Sequence, residues 1–247
     1  MEELVTNSLN LVNFWLYANL FLYIAVFGVA LIINYNFNAV MVGVIYLLPL
    51  IPFGVNSDNA IRFLITSFQN TVFGIIELVI FTITVRPEDI TFDKQFVRQL
   101  FGHTLPIAAA LVGLSFFSRY AIDPMPIWEF TLIVFCFLLG SIFRVIAIYQ
   151  IGAIAFKFDI AFRDKQSLKT SQLYKYIRHP SYASMMIVIL AYALTTHNLF
   201  AAIVGLLSGW FGFHYRILHE DHALEKQFGR EYKEYQTKTG TWFPKVF

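Results

Sequence analysis

Charge is what this sequence has least of: only 14% of its 247 residues are Asp, Glu, Lys or Arg, against roughly 25% in ordinary soluble domains. With 57% hydrophobic residues and a mean hydropathy of +0.61, a soluble globular fold is excluded and a polytopic membrane protein is indicated. The net charge of +2 is too small to imply a nucleic-acid partner. Cysteine occurs once, as Cys136 inside an apolar run, which excludes an internal disulfide or a Cys-rich metal site and reads as a small packed hydrophobe. No Gly-rich GxGxxG follows a strand and no GxxxxGK[ST] is present, so the usual soluble nucleotide-binding devices are missing. Met1-Glu2-Glu3 lacks the basic start of a signal peptide, so the first apolar segment is expected to stay in the mature protein. Of six histidines, only His219 and His222 stand close together, flanking Glu220 and Asp221. Residues three apart share a helix face, but the remaining histidines are scattered and no metal is expected.

What is present is apolar length. Stretches at roughly 13–34, 39–55, 71–85, 106–120, 127–150, 181–197 and 199–217 are long enough, or nearly so, to span a bilayer. The expected fold is all-α: a transmembrane bundle of about seven spans, ending in a cytoplasmic amphipathic helix with Leu218, Leu224 and Phe228 apolar among charges. Pro49 and Pro52 interrupt the second stretch, predicting a short, tilted or re-entrant piece followed by a turn at Asn56-Ser57-Asp58-Asn59. Lys and Arg number three in 86–105, six in 151–180 and six from Arg216 onward, all on one side of a seven-span arrangement. Arg62 and Arg119 fall on the other side, so the positive-inside rule places the C-terminus in the cytoplasm. Phe156–Phe162 reads as extended or interfacial, Arg163-Asp164-Lys165-Gln166 as a turn, His103 and His197 as loop residues, and Asn198 as a helix cap.

Two polar stretches flank a hydrophobic hairpin that should return them to one membrane face. The first is Tyr174-Lys175-Tyr176-Ile177-Arg178-His179-Pro180-Ser181-Tyr182, with proline suited to a helix start whose amides can receive an anion. The second begins at Arg216 and carries His219-Glu220-Asp221-His222, then Phe228-Gly229-Arg230-Glu231-Tyr232. Taken alone, Arg178-His179-Pro180 also suits an interfacial anchor. A carboxylate pair on the same side converts it into a candidate site for a zwitterionic, cationic ligand. Arg144 lies roughly 10 Å below the cytoplasmic surface, two turns inside its helix. A guanidinium there costs on the order of 2–3 kcal/mol even on lenient scales, so it should face a cavity, snorkel, or pair with Glu77 of the third helix.

In order along the chain, these elements resemble the isoprenylcysteine carboxyl methyltransferases and the wider group that includes phospholipid methyltransferases. Gly140-Ser141-Ile142-Phe143-Arg144 precedes Gly152, the Tyr174–Tyr182 stretch follows, and Arg216 stands four residues before an acidic pair. Phe228-Gly229-x-Glu231-Tyr232-x-x-Tyr235 and Thr239-Gly240 leading to Phe243-Pro244-Lys245-Val246 complete the set. The likeness covers about residues 127–247. Asp221 replaces a second glutamate, Ser171-Gln172 stands where a glycine is common before the tyrosine, and Ser184 replaces a frequent glycine.

The resemblance implies S-adenosylmethionine as methyl donor, held by Arg178, His179, Tyr182 and Glu220, with Arg144 and Arg216 facing the acceptor. Arg144, Arg216 and Glu220 are then the candidate catalytic set. It further implies a lipophilic or prenylated acceptor reached from the bilayer, an integral-membrane location and a cytoplasmic active site. Residues 1–105 are expected to form accessory helices and 106–247 the methyltransferase core. A carboxylate acceptor is ionised at neutral pH and needs orientation rather than a base. On this reading Arg144→Ala abolishes turnover and leaves the fold intact. A phospholipid or amine N-methyltransferase, a sterol-reductase-like enzyme using a reduced nicotinamide, and a non-catalytic membrane relative are the alternatives.

Overall fold

Asn36, Asp93 and Asn198 each stand immediately before a helix, and each side-chain oxygen accepts a hydrogen bond from a backbone amide three residues on, at Ala39, Phe96 and Ala201. Such caps satisfy donors that the helix itself leaves unpaired. Glycine with positive φ closes the helices that end at Ile151 and Phe228, Gly152 at 81° and Gly229 at 53°, a conformation that costs a residue without Cβ little. The computed structural model describes residues 2–52, 60–84, 93–121, 123–152 and 167–245, with only the backbone of residues 2–9.

The helices are α1 (Glu2–Ile33), α2 (Phe37–Leu47), α3 (Ile61–Thr84), α4 (Lys94–Gln99), α5 (Leu105–Phe117), α6 (Ile127–Ile151), α7 (Pro180–Thr195), α8 (Leu199–Phe228) and α9 (Arg230–Lys238). Among the described residues there are no strands, only an isolated bridge between Ile177 and Gly240. Five helical stretches are long and apolar enough to cross a membrane: Asn10–Ile33, Ile61–Thr84, Lys94–Phe117, Ile127–Ile151 and Leu199–Phe228. Phe37–Leu50 and Pro180–Thr195 are apolar but shorter. All seven expected stretches therefore contain helix, and five have spanning length.

Several boundaries differ from expectation for identifiable reasons. α3 begins ten residues before the expected 71, because its first half is polar yet buried: Thr66, Ser67, Gln69, Asn70 and Thr71 all face the interior. Asn19 donates to Ser67, Asn70 to Ser115 and Gln69 to Thr195, at 3.1, 3.0 and 3.3 Å. Hydropathy discounts such residues, whereas helix packing in a bilayer uses them as interhelical donors and acceptors. The fourth stretch likewise reaches back to Lys94, since a π-turn over Leu100–Thr104 joins α4 to α5 without a break. That turn places His103 inside the bundle, not in a loop. α2 tightens into a 3-10 turn at Leu48–Leu50 and stops, as Pro49 and Pro52 require.

The amphipathic stretch after residue 217 projects from the last apolar helix without a break. It is the continuation of α8 to Phe228, and α9 follows across Gly229. Asn198 caps α8 as expected, and His197 sits in the preceding turn with φ 48°. The expected turns at Asn56–Asn59 and Arg163–Gln166, and the extended piece at Phe156–Phe162, lie outside the described residues.

α6 and α7 approach closely at Gly140, where a Cβ would meet Val188 Cγ2 at 2.7 Å and the Ser184 carbonyl at 2.9 Å. Small residues let helix backbones come together where lipid supplies no hydrophobic drive. Beyond α9 the chain folds back on the segment before α7. The Arg178 amide donates to the Gly240 carbonyl at 2.8 Å, His179 to Thr241 at 3.2 Å, and Gly240 to Tyr176 at 3.1 Å.

Arg62 and Arg119 occupy the end of the bundle away from α9. Arg62 forms a two-pronged pair with Glu129, 2.8 Å on each side, and Arg119 lies 4.4 Å over the Phe63 ring and donates to the Pro49 carbonyl at 2.7 Å. His197 joins that end through Glu129 at 3.1 Å.

Candidate active site

A helix places residues four apart on one face, and α8 uses this to set Arg216 under Glu220: Nε donates to Oε1 at 2.7 Å. The first turn of α7 meets the same carboxylate, with the Tyr182 hydroxyl donating to Glu220 Oε1 at 2.5 Å. Just before that helix, His179 Nε2 lies 2.7 Å from Asp221 Oδ1, and Nδ1 lies 3.4 Å from Glu220 Oε2. Tyr232 of α9 donates to Asp221 at 2.5 Å. The two polar stretches of the sequence thus close onto each other around the acidic pair. Asp221, the shorter of the expected two carboxylates, still reaches both His179 and Tyr232.

Two carboxylates around one imidazole set its charge. Burial would push His179 down, but its hydrogen bonds to Asp221 and Glu220 and their charges outweigh burial and hold its pKa above the ordinary 6.5. In the imidazolium form both ring nitrogens donate. A raised folded-state pKa means this pairing contributes full stability below the unfolded value and loses it as pH rises through the folded value. The unfolding temperature in detergent is therefore expected to fall as pH is raised past 6.5 and through the elevated value. His179→Gln should flatten that dependence, and an identical slope in the variant would remove His179 as its source.

Aromatic rings line the approach. His179 stacks on Tyr182 with centroids 5.6 Å apart, Tyr182 on Phe213 at 5.4 Å, and His103 meets Phe213 edge-on at 5.9 Å. Trp242, from the returning C-terminal segment, meets Phe213 at 6.4 Å. Such a column offers π faces to a planar or cationic ligand.

Tyr182 borders a cavity of about 640 Å³, open mouth included, lined by both polar and apolar residues. Glu77, His103, Thr104, Arg144, Tyr182 and Arg216 are polar members of the lining. Val42, Ile45, Phe81, Ile107, Leu111 and Met185 are apolar ones. Arg144 is 3% exposed, and Glu77 takes its Nε at 2.8 Å and Nη2 at 3.0 Å. Nη1 donates to Ser181. Two of the three alternatives for Arg144 hold together: it pairs with Glu77 and it faces a cavity.

Arg144, Arg216 and Tyr182 therefore line one cavity, while His179 and Glu220 adjoin it through Tyr182 and Arg216. Arg178 does not line it. Its guanidinium donates to the Thr239 carbonyl at 2.7 Å, to the Gln236 carbonyl at 3.3 Å and to the Thr241 hydroxyl at 2.7 Å, tying down the end of α9 and the chain after it, and it also lies 3.8 Å from Asp221 Oδ2. Tyr235 has a similar anchoring role, donating to the Tyr174 carbonyl at 2.5 Å. Gln172, where a glycine is common, adopts φ 59°, the region that favours glycine. Ser184 is fully buried and donates to the Ser181 carbonyl at 2.6 Å. Among the described residues no group of three His, Cys, Asp or Glu could hold a metal.

His103, Tyr46 and Phe213 line the cavity without having been marked by the sequence. His103 donates from Nδ1 to the Gly212 carbonyl at 3.1 Å. Its inward placement depends on the π-turn, which shifts helical phase and erases the periodic signal. Tyr232 stood in the quoted C-terminal pattern, but its partner Asp221 is across a helix break.

Comparison with known proteins matches the part of the chain that carries most of these residues. The pattern of the Isoprenylcysteine carboxyl methyltransferase family matches residues 132–226. Protein-S-isoprenylcysteine O-methyltransferase B of Arabidopsis thaliana is 32% identical over 110 residues, 44% of this chain and 56% of the relative. A probable protein-S-isoprenylcysteine O-methyltransferase of Oryza sativa subsp. indica is 29% identical over 108 residues, 43% and 56% respectively. Protein-S-isoprenylcysteine O-methyltransferase A of Arabidopsis thaliana aligns more widely, 24% identical over 195 residues, 77% of this chain and 97% of the relative. The chain thus spans about half the length of the first two relatives in the part that matches.

Proposed function

From a chain whose residues 132–226 carry the pattern of the isoprenylcysteine carboxyl methyltransferase family, we propose that it transfers a methyl group from S-adenosylmethionine to the carboxylate of a lipophilic, prenylcysteine-like acceptor at the cytoplasmic membrane face. The observation that carries this reading is the junction of Tyr182, Glu220 and Arg216 beside a cavity that Tyr182, Arg216 and Arg144 line together. The residues fit the methyl donor. Glu220 and Asp221 keep 21% and 19% of their side chains exposed, leaving carboxylate surface for an ammonium group, and the rings of His179, Tyr182 and Phe213 suit a purine or a sulfonium. Bound there, the donor would supply an electrophilic methyl carbon.

The protein's own part is alignment in a dry setting. A carboxylate acceptor arrives ionised at neutral pH, so no residue has to remove a proton. Arg144 orients it, Arg216 holds Glu220 in place, and the apolar lining residues take the lipid portion. Val42, Ile45, Tyr46, Glu77 and Phe81 come from residues 1–105, which serves in this proposal as the accessory part shaping the acceptor wall around a core of 106–247. The lysines and arginines in 151–180 and after Arg216 support a cytoplasmic site.

Calorimetric titration of S-adenosylmethionine into detergent-purified protein tests the donor. Saturable binding is expected, weakened at least roughly tenfold in Glu220→Ala, which removes a charge-assisted partner of about 1.5–3 kcal/mol. No binding to intact protein would redirect attention to the nicotinamide or non-catalytic readings. Binding without methylation of prenylcysteine would send the acceptor screen to lipid amines.

A further inference from the structure

Arg144 and Arg216 meet the cavity already matched by carboxylates. Arg144 presents Nε and Nη2 to the two oxygens of Glu77, and Nη1 to Ser181. Arg216 is matched by Glu220 at 2.7 Å. Glu77 also faces the cavity itself, yet it belongs to α3, outside the segment that carries the family pattern. An anion entering beside Arg144 therefore meets a guanidinium whose charge is largely cancelled, with a carboxylate alongside.

We infer that Glu77 is a positioning residue that keeps Arg144 able to orient an anionic acceptor without over-stabilising it. The inference rests on the carboxylate-methylation reading. In that reaction the acceptor oxygen forms a bond to the methyl carbon as the carbon–sulfur pair returns to sulfur, so an anion and a sulfonium become a neutral ester and a neutral thioether. Charge disappears on the way to the transition state. A bare arginine would then bind the ground-state anion more strongly than the transition state, deepening the well from which reaction starts, and only interactions stronger in the transition state accelerate it. Glu77 offsets this by cancelling most of the attraction while its two hydrogen bonds fix the plane of the guanidinium.

This makes Glu77→Gln an unusual variant: it should bind the acceptor more tightly and turn over more slowly. Binding of an N-acetylated S-prenylcysteine to donor-free protein is expected to tighten roughly tenfold, the scale of one cancelled charge at short range in a partly screened site. Its methyl ester, which has no charge, should bind wild type and variant alike. In turnover, KM for the acid and kcat should fall together, the signature of relieved ground-state destabilisation. Glu77→Asp keeps the charge and should retain acid affinity within about threefold, separating charge from packing. If the acid binds Glu77→Gln no more tightly than wild type, or the ester shifts equally, the inference is overturned. If wild type binds neither acid nor ester, the acceptor reading itself fails, and the two failures are distinct. Should Glu77→Gln not fold, the acid-to-ester affinity ratio of Glu77→Asp decides: a ratio close to that of wild type supports the charge role and an altered one overturns it.

Discussion

Replacing Arg144 by alanine is expected to abolish methyl transfer and, contrary to the expectation from sequence, to weaken the fold as well. The catalytic loss follows from position. Arg144 lines the cavity, and misplacing an acceptor by about 1 Å already costs on the order of a hundredfold. The structural loss follows from its partner. Glu77 is 3% exposed and takes both its hydrogen bonds from Arg144, so truncation leaves a buried carboxylate without its cation, a change worth about 3–5 kcal/mol. The two losses separate in a double variant. Arg144→Met with Glu77→Gln removes both charges and should recover most of the unfolding temperature in detergent while turnover stays absent. Full activity in Arg144→Ala would end the role of Arg144, and an unchanged melting temperature would show that the pair contributes nothing to the fold.

At the opposite end of the bundle, Arg62→Ala is expected to be the most destabilising single truncation that leaves donor binding unchanged. Arg62 is fully buried and bonds both Glu129 oxygens at 2.8 Å. It also donates to the carbonyls of Asp123, Pro124 and Thr195 at 3.1, 3.3 and 3.4 Å. One side chain thus fastens the start of α3 to the start of α6 and the end of α7. Its loss leaves Glu129 with His197 alone at 3.1 Å, a change approaching about 3–5 kcal/mol, and frees three carbonyls at about 1–3 kcal/mol for each one left unsatisfied. Thermal unfolding with and without S-adenosylmethionine measures both parts: a large drop in melting temperature with the ligand-induced increment preserved is expected. A drop of a degree or less would show that the cluster is solvated and weak.

Much of the site could be read without coordinates because its residues lie in short local patterns. Arg216 and Glu220 share a helix face by spacing alone, His179 and Tyr182 straddle a proline-marked helix start, and both groups sit at the same end of a hairpin. Glu77 could be named as a partner for Arg144 because few ionisable residues lie within apolar stretches. The polar half of α3 could not be seen in the same way. Thr66, Ser67, Gln69, Asn70 and Thr71 lower hydropathy whether they face water or a neighbouring helix, and only the packing of α3 against α1, α5 and α7 distinguishes the two. Arg178 carries a feature its motif did not signal: its donors go to Gln236 in the last turn of α9 and to Thr239 and Thr241 beyond it, while Asp221 of the acidic pair lies 3.8 Å away.

By itself the sequence determined that this protein is a helical bundle of membrane-crossing character, where most helices begin and end, and which two polar stretches must meet. Hydropathy, helix period and capping chemistry are local, so they survive in one dimension. Tertiary structure decided the rest: that His103 turns inward through a π-turn, that Arg178 fastens the end of α9 and the chain after it, and that residues before 105 supply Glu77 and nearly half of the cavity lining. These are matters of which faces touch across separations of 50 to 150 residues, and no local signal in the chain encodes them, because the same side chains could satisfy their charge and polarity against several partners until packing chooses one.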